Sequence, residues 1–149
     1  MKSKKTKTIT VCASASFVKE VLILEEELKK LGYKVLIPIT AYEMKKKNDY
    51  NVGHYKTWFK NSKDYKIKTK LMNDHFKKVI KADAILVVNN EKRGLAGYIG
   101  GNTLMEMTLA YYFKKPIFIL NEISNKLPIK EEVLGVNPIF LKGSIKNLL

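Results

Sequence analysis

A length of 149 residues and a hydrophobic fraction of 46% fit one globular domain over residues 1–149, and no apolar run approaches the roughly 20 residues that span a bilayer. The lone cysteine, Cys12, excludes an internal disulfide, and the apolar run after the basic N-terminus is too short and interrupted for a signal peptide, so we expect a cytoplasmic protein. The formal net charge of +14 favours anionic partners such as phosphorylated metabolites.

The first part of the chain alternates strand and helix. Thr8–Ala13 (TITVCA) is a β-rich run that predicts a first strand. Residues 17–31 carry apolar side chains at helical spacing, with Ser16 as the expected N-cap and Gly32 just beyond the C-terminal end. Residues 33–39 predict a second strand, whose proline indicates a strand end or an edge strand.

Beyond the second strand the pattern becomes irregular and then regular again. The polar and aromatic stretch 40–63 is typical of a mobile loop or of short helices over a site. The remaining predicted elements are helices over residues 64–81, 103–113 and 129–134, strands over residues 83–88, 116–120 and 138–141, and a C-terminal helical turn capped by Ser144.

This alternation predicts an α/β fold of three layers: a doubly wound, Rossmann-like sheet of five parallel strands covered by helices on both faces. Ligands of such sheets bind beyond the carboxyl ends of the strands. The loops at residues 13–17, from residue 39 onward, and at residues 89–101 leave those ends, and we expect the site there.

A glycine-rich turn at residues 97–103 precedes the fourth predicted helix. Gly100 and Gly101 let the backbone approach a ligand closely, and the free N–H groups of a helix start bind anions or sugar oxygens. Asn102 or Thr103 would cap the helix. An ordinary strand-to-helix turn is the competing interpretation.

Glu106 is a lone carboxylate in the apolar start of that helix. Directed back to the turn, it would attack a sugar C1′ as a nucleophile or activate water as a base. The alternative is a solvated acid in the first turn that interacts favourably with the helix dipole.

The loop after the first strand is a second candidate for ligand contact. Ala13 leaves room for a ligand, and the hydroxyls of Ser14 and Ser16 can bond a phosphate or a sugar, although a simple helix cap accounts for them equally well. Asp74 and Asp83 could orient a ribose hydroxyl or a base, and Asp83 could instead cap a loop.

Other candidate chemistries have weaker support. His54 and His75 have no metal-like partners in the sequence, and with a single cysteine we expect no metal and no cofactor. An aromatic group at residues 55–59 could stack a base, with core or lid packing as the alternative. Only one of the 28 basic residues, Arg93, is an arginine, and the lysines are spread along the chain, so we expect no nucleic-acid groove.

The order of these segments resembles the nucleoside 2-deoxyribosyltransferase family, which includes the deoxynucleoside 5′-monophosphate N-glycosidases. The specific part is 83–120, where an apolar strand and a glycine-rich loop lead into MEMTLA (105–110) and Lys115-Pro116. The glycine run is also similar to that of the phosphoribohydrolases of the cytokinin-activating (Lonely Guy) group, which share the broader fold.

The resemblance implies a five-stranded parallel sheet and cleavage or transfer at an N-glycosidic bond. Glu106 would act at the sugar C1′, and water or a second base would accept the glycosyl group. Ser14, Ser16 and Phe17 would contact the nucleoside or nucleotide. The resemblance also implies a homodimer in which the neighbouring subunit completes the site.

One position departs from the family pattern. Six residues before the glutamate the family commonly has Asp or Ser, and this chain has Gly100. Asn89, Asn90 or Asn102 could replace the missing polar contact. The alternative is a nucleotide-binding sensor or scaffold of the same fold without turnover.

Overall fold

The central sheet has five parallel strands in the order β2-β1-β3-β4-β5. The computed structural model describes residues 5–148. The strands are β1 (Thr8–Ala13), β2 (Lys34–Leu36), β3 (Ala84–Val88), β4 (Ile117–Ile119) and β5 (Ile139–Phe140). Every neighbouring pair is parallel, which confirms the predicted five-stranded sheet and the α/β class.

Helices cover both faces of the sheet and create two apolar cores. Their bounds are α1 (Val18–Lys30), α2 (Ile39–Lys47), α3 (Tyr65–Lys81), α4 (Gly101–Tyr112) and α5 (Lys130–Gly135). Side chains alternate between the faces of a strand, so Val11 lies in the core with α1 and α2 while Cys12 lies in the core with α3, α4 and α5. This arrangement is the predicted three-layer fold.

The second strand and the segment after it differ in detail from the prediction. β2 ends at Leu36, and Pro38 is the N-cap of α2 rather than a strand residue. Proline fixes φ near the helical value and lacks the N–H that a ladder needs, so the chain leaves the sheet here. Three short 3-10 helices follow, confirming the predicted short helices: Val52–His54, Thr57–Phe59 and Ser62–Asp64.

The helix ends were predicted with mixed success. Gly32 follows α1 with a φ of +94°, as expected for a residue just past a helix. The Ser16 cap is wrong: the Ser14 side chain accepts a bond from the Ser16 N–H and caps a 3-10 helix at Ala15–Phe17. Ser144 does accept from the Lys146 N–H at the C-terminal turn. In residues 5–148 no helix is long and apolar enough to cross a membrane.

Candidate functional site

Glu106 projects toward the sheet from α4, the helix that begins at the glycine-rich turn. Gly100 is the N-cap in an extended conformation and no side chain caps the helix, so the predicted caps Asn102 and Thr103 are wrong. Thr103, Glu106 and Ala110 are three or four residues apart and share the buried face of α4. Glu106 is only 2% exposed, so the interpretation of a solvated acid is also wrong.

The neighbours of the Glu106 carboxyl group come from three elements. Asn102 Nδ2 donates to Oε2 at 3.4 Å, and His75 Nε2 lies 3.7 Å from the same oxygen. The charge of Lys68 lowers the pKa of the carboxyl group, as does hydrogen bonding from the Cys12 thiol, whose Sγ lies within 4.8 Å of a carboxyl oxygen and 3.7 Å from His75 Nε2. Burial outweighs both and raises the pKa of Glu106 to about 8, so the free protein holds the acid largely protonated at neutral pH.

His75 is a buried neutral imidazole rather than the partner of an ion pair. Burial lowers the pKa of His75 to about 4, and the nearby charge of Lys78 acts in the same direction. Its Nε2 lies 3.1 Å from the Val11 carbonyl oxygen and donates to it, so the lone pair sits on Nδ1. Burial and the Glu106 carboxyl group raise the pKa of the Cys12 thiol, which therefore stays protonated as a donor.

These three side chains also form the one group in residues 5–148 whose ligand atoms are close enough to hold a metal ion. The atoms of Cys12, His75 and Glu106 lie within 4.8 Å of one another, which corrects the expectation that His75 has no metal-like partners. A metal on Nε2 would require a proton on Nδ1, and Nδ1 is buried without a hydrogen-bond partner. The chemistry of the three side chains therefore suits a cluster of protonated, neutral groups better than a metal site.

The carboxyl group of Glu106 lines a cavity of about 230 Å³ at the carboxyl edge of the sheet. The three predicted loop positions meet here: Ala13 and Ser14 after β1, Ile39 and Thr40 at the start of α2, and Gly100 before α4. All three loops leave the carboxyl ends of parallel strands, which is why they converge.

Several residues of the site were not singled out from the sequence. They are Cys12, which lies beside the carboxyl group behind the cavity wall, and His75, Lys56, Lys68, Lys92 and Tyr98, which line the cavity. For two of them the sequence pattern indicates a buried position: Cys12 alternates with Val11 along β1, and His75 lies four residues before buried Val79 on α3. Of the aromatic group, Tyr55 and Trp58 line the cavity, whereas Phe59 is 74% exposed.

The structure places five predicted site residues outside the cavity. Asp83 lies at the amino edge of the sheet, where its carboxylate accepts from the Thr8 N–H at 2.7 Å. Asp74 pairs with Lys78 at 3.0 Å on α3. Ser16 is exposed and Phe17 is buried against Tyr98.

Asn89 is the fifth of these residues and has a structural position. It is fully buried, and its amide joins the glycine-rich loop to the end of β4 through bonds to the Gly97 carbonyl and to both backbone groups of Asn121. It therefore holds the loop that borders the cavity rather than facing a ligand.

Two solved structures share this architecture. A 2-deoxyribosyltransferase from Bacillus psychrosaccharolyticus superposes with a TM-score of 0.52 at 18% identity, over 79% of this chain and 77% of that one. The CMP N-glycosidase BcmB of Clostridium botulinum superposes with a TM-score of 0.51 at 16% identity, over 95% of both chains.

This chain has the fold of those two enzymes. No family model and no curated protein matches it in sequence. The fold that the resemblance implied is therefore confirmed by structure. Support for an enzymatic activity comes from the residues of the site.

Proposed function

We propose that the protein cleaves or transfers the N-glycosidic bond of a nucleoside or nucleotide, with Glu106 as the nucleophile. The observation that carries this proposal is a single buried carboxyl group on the wall of a cavity at the sheet edge where such folds bind ligands. Both enzymes that share the fold act, by name, on nucleosides or nucleotides.

The chemistry proceeds in two displacements at the sugar C1′. A carboxylate oxygen of Glu106 forms a bond to C1′ as the bond to the base nitrogen breaks, and the base leaves with that electron pair and takes up a proton. Water, or a second base, then attacks C1′ and releases the carboxylate. Asn102, which donates to the carboxyl group, and the neighbouring Cys12 thiol would keep the attacking oxygen oriented.

The nucleophile must lose its proton before it attacks. Because burial raises the pKa of Glu106 to about 8, we expect the kcat/KM of the wild-type protein to rise with pH up to about that value. The elevated pKa also makes the carboxylate a stronger base and nucleophile than an exposed glutamate.

The decisive experiment measures base release from a panel of nucleosides and nucleoside monophosphates by chromatography. We expect release by the wild type and a loss of at least about 1000-fold in Glu106→Gln, because the amide cannot form the glycosyl ester. Glu27→Gln is the matched control, since Glu27 is exposed on α1, far along the chain from the cavity residues of α4.

Two outcomes would contradict the proposal. One is release by Glu106→Gln at the wild-type rate. The other is tight calorimetric binding of a nucleotide with no consumption by the wild type, which would identify a sensor instead. Folding of each variant is checked by circular dichroism. The expected homodimer, with its shared site, stays a prediction.

A further inference from the structure

Three lysines from separate segments surround the cavity. Lys56 precedes the 3-10 helix Thr57–Phe59, Lys68 lies on α3, and Lys92 follows β3. Among residues 5–148 none of the three forms an ion pair, whereas Lys29 and Lys78 do. The cavity therefore collects positive charge that the described part of the chain leaves without a counter-ion.

Aromatic rings and neutral oxygens hold two of these lysines, Lys68 and Lys92, in place. Lys68 Nζ donates to Asn102 Oδ1 at 2.8 Å and lies 5.7 Å from the centre of the Trp58 ring. Lys92 Nζ lies 3.4 Å from Ser14 Oγ and 5.0 Å from the centre of the Tyr98 ring. Such contacts fix a cation without neutralising it.

The lysines also repel one another. Burial lowers the pKa of all three ammonium groups, and the charge of Lys56 lowers the pKa of Lys68 and of Lys92 further. Partial burial of like charges costs free energy that a bound anion would recover.

The start of α4 adds donors to the same cavity. This helix has twelve residues, its first N–H groups have no side-chain cap, and its positive dipole end favours an anion. A Cβ built on Gly101 would have no atom within 4 Å, so the space in front of that residue is open.

We infer that Lys56, Lys68 and Lys92, with the start of α4, form a phosphate subsite, so that the substrate is a nucleoside monophosphate rather than a nucleoside. The inference rests on the proposed function. Lys68 lies close enough to influence Glu106, so the phosphate end of one ligand and the reacting carboxyl group share the cavity. A cavity of about 230 Å³ accommodates one small molecule and not a nucleic-acid strand.

The first test is calorimetric and needs no turnover. The full chain is titrated with inorganic phosphate and with a nucleoside 5′-monophosphate, and all titrations use a Glu106→Gln background so that the monophosphate is not consumed. We expect the double variant Lys56→Gln/Lys92→Gln to weaken both affinities at least about tenfold, since two charged contacts are lost. Lys60→Gln, an exposed lysine of the same segment, should bind like the wild type. Unchanged affinity in the double variant overturns the subsite.

The second test compares kcat/KM for a monophosphate with kcat/KM for its parent nucleoside. The wild type should favour the monophosphate, and the double variant should lose at least about tenfold of that preference while Lys60→Gln keeps it. Equal use of both substrates by the wild type overturns the inference, as does tighter binding of a single-stranded oligonucleotide than of the monophosphate.

The two proposals fail separately. Lysine-dependent binding of phosphate and monophosphate without any base release supports the subsite and defeats the glycosidic activity. Base release at the same rate from a nucleoside and from its monophosphate supports the glycosidic activity and defeats the subsite.

Discussion

At the scale of residues, the protonation of three buried side chains governs the site. Glu106 and His75 lie 3.7 Å apart, a distance at which an ion pair would form in water-exposed surroundings. Burial moves the pKa of His75 down to about 4 and that of Glu106 up to about 8, so between these values both groups are neutral. Desolvation therefore outweighs their mutual attraction.

Cys12 is expected to position the nucleophile and tune its acidity. Its Sγ lies within 4.8 Å of the Glu106 carboxyl group, and hydrogen bonding from the thiol lowers the pKa of that acid. Cys12→Ala should therefore shift the rising limb of the kcat/KM profile to higher pH and slow the reaction at neutral pH, with recovery at alkaline pH. The profile of base release against pH measures this shift.

Cys12→Ser is the matched variant, because a hydroxyl retains the donor. Its profile should stay near that of the wild type. A merely structural thiol would lower the rate of Cys12→Ala equally at every pH, and that result would contradict the positioning role.

At the scale of elements, the glycine-rich loop is held to the end of β4 by close backbone contact. Gly97 has a φ of +65°, and a Cβ built on it would lie 2.1 Å from the Glu122 carbonyl oxygen. Asn89 closes the same junction through the Gly97 carbonyl. This attachment sets where the loop delivers Tyr98 and Gly100 to the cavity.

Gly97→Ala should lower the free energy of unfolding by more than about 2 kcal/mol, since the new methyl adds a clash to the cost of a positive φ. Gly94→Ala is the control: its φ is +77°, but a Cβ there meets nothing within 4 Å. It should cost only about 1–2 kcal/mol. Urea denaturation measures both, and equal losses would disprove the contact.

At the scale of the whole molecule, the buried acid and base give folding stability opposite pH dependences. The folded chain keeps a proton on Glu106 between about 4.5 and 8 that the unfolded chain has released, so stability falls as pH rises through that range. His75 stays unprotonated in the folded chain down to about 4, against 6.5 when unfolded, so stability rises from 4 to 6.5. The two effects oppose each other below 6.5, and only the Glu106 effect remains from 6.5 to 8.

Glu106→Gln should therefore abolish the loss of stability between pH 6.5 and 8 that this acid causes. The amide never ionises, so the variant should be more stable than the wild type above pH 8, by a few kcal/mol at most. Urea midpoints at pH 6.5 and pH 8.5 measure the difference, with Glu27→Gln as the control. If the urea midpoints of the wild type and of Glu106→Gln changed equally between the two pH values, the raised pKa of Glu106 would be contradicted.

The sequence by itself determined the fold and the place of the site. The alternating apolar runs, such as β3 with five buried residues, require cover on both faces of a parallel sheet. The carboxyl-edge loops follow from that topology. Gly100, Ser14 and Glu106 were singled out because they border one strand end or one helix start, and all three line the cavity.

Tertiary structure alone decided which side chains meet. Cys12, Lys56, Lys68, His75 and Lys92 are separated by up to 80 positions, and no local pattern encodes their convergence on Glu106. The burial of Glu106 was equally hidden, because the face of α4 that contacts α3 and the sheet depends on long-range packing. Asp83 is a different case, because it opens a strand of the predicted parallel sheet, so the sequence alone already assigns it to the amino edge, opposite the cavity.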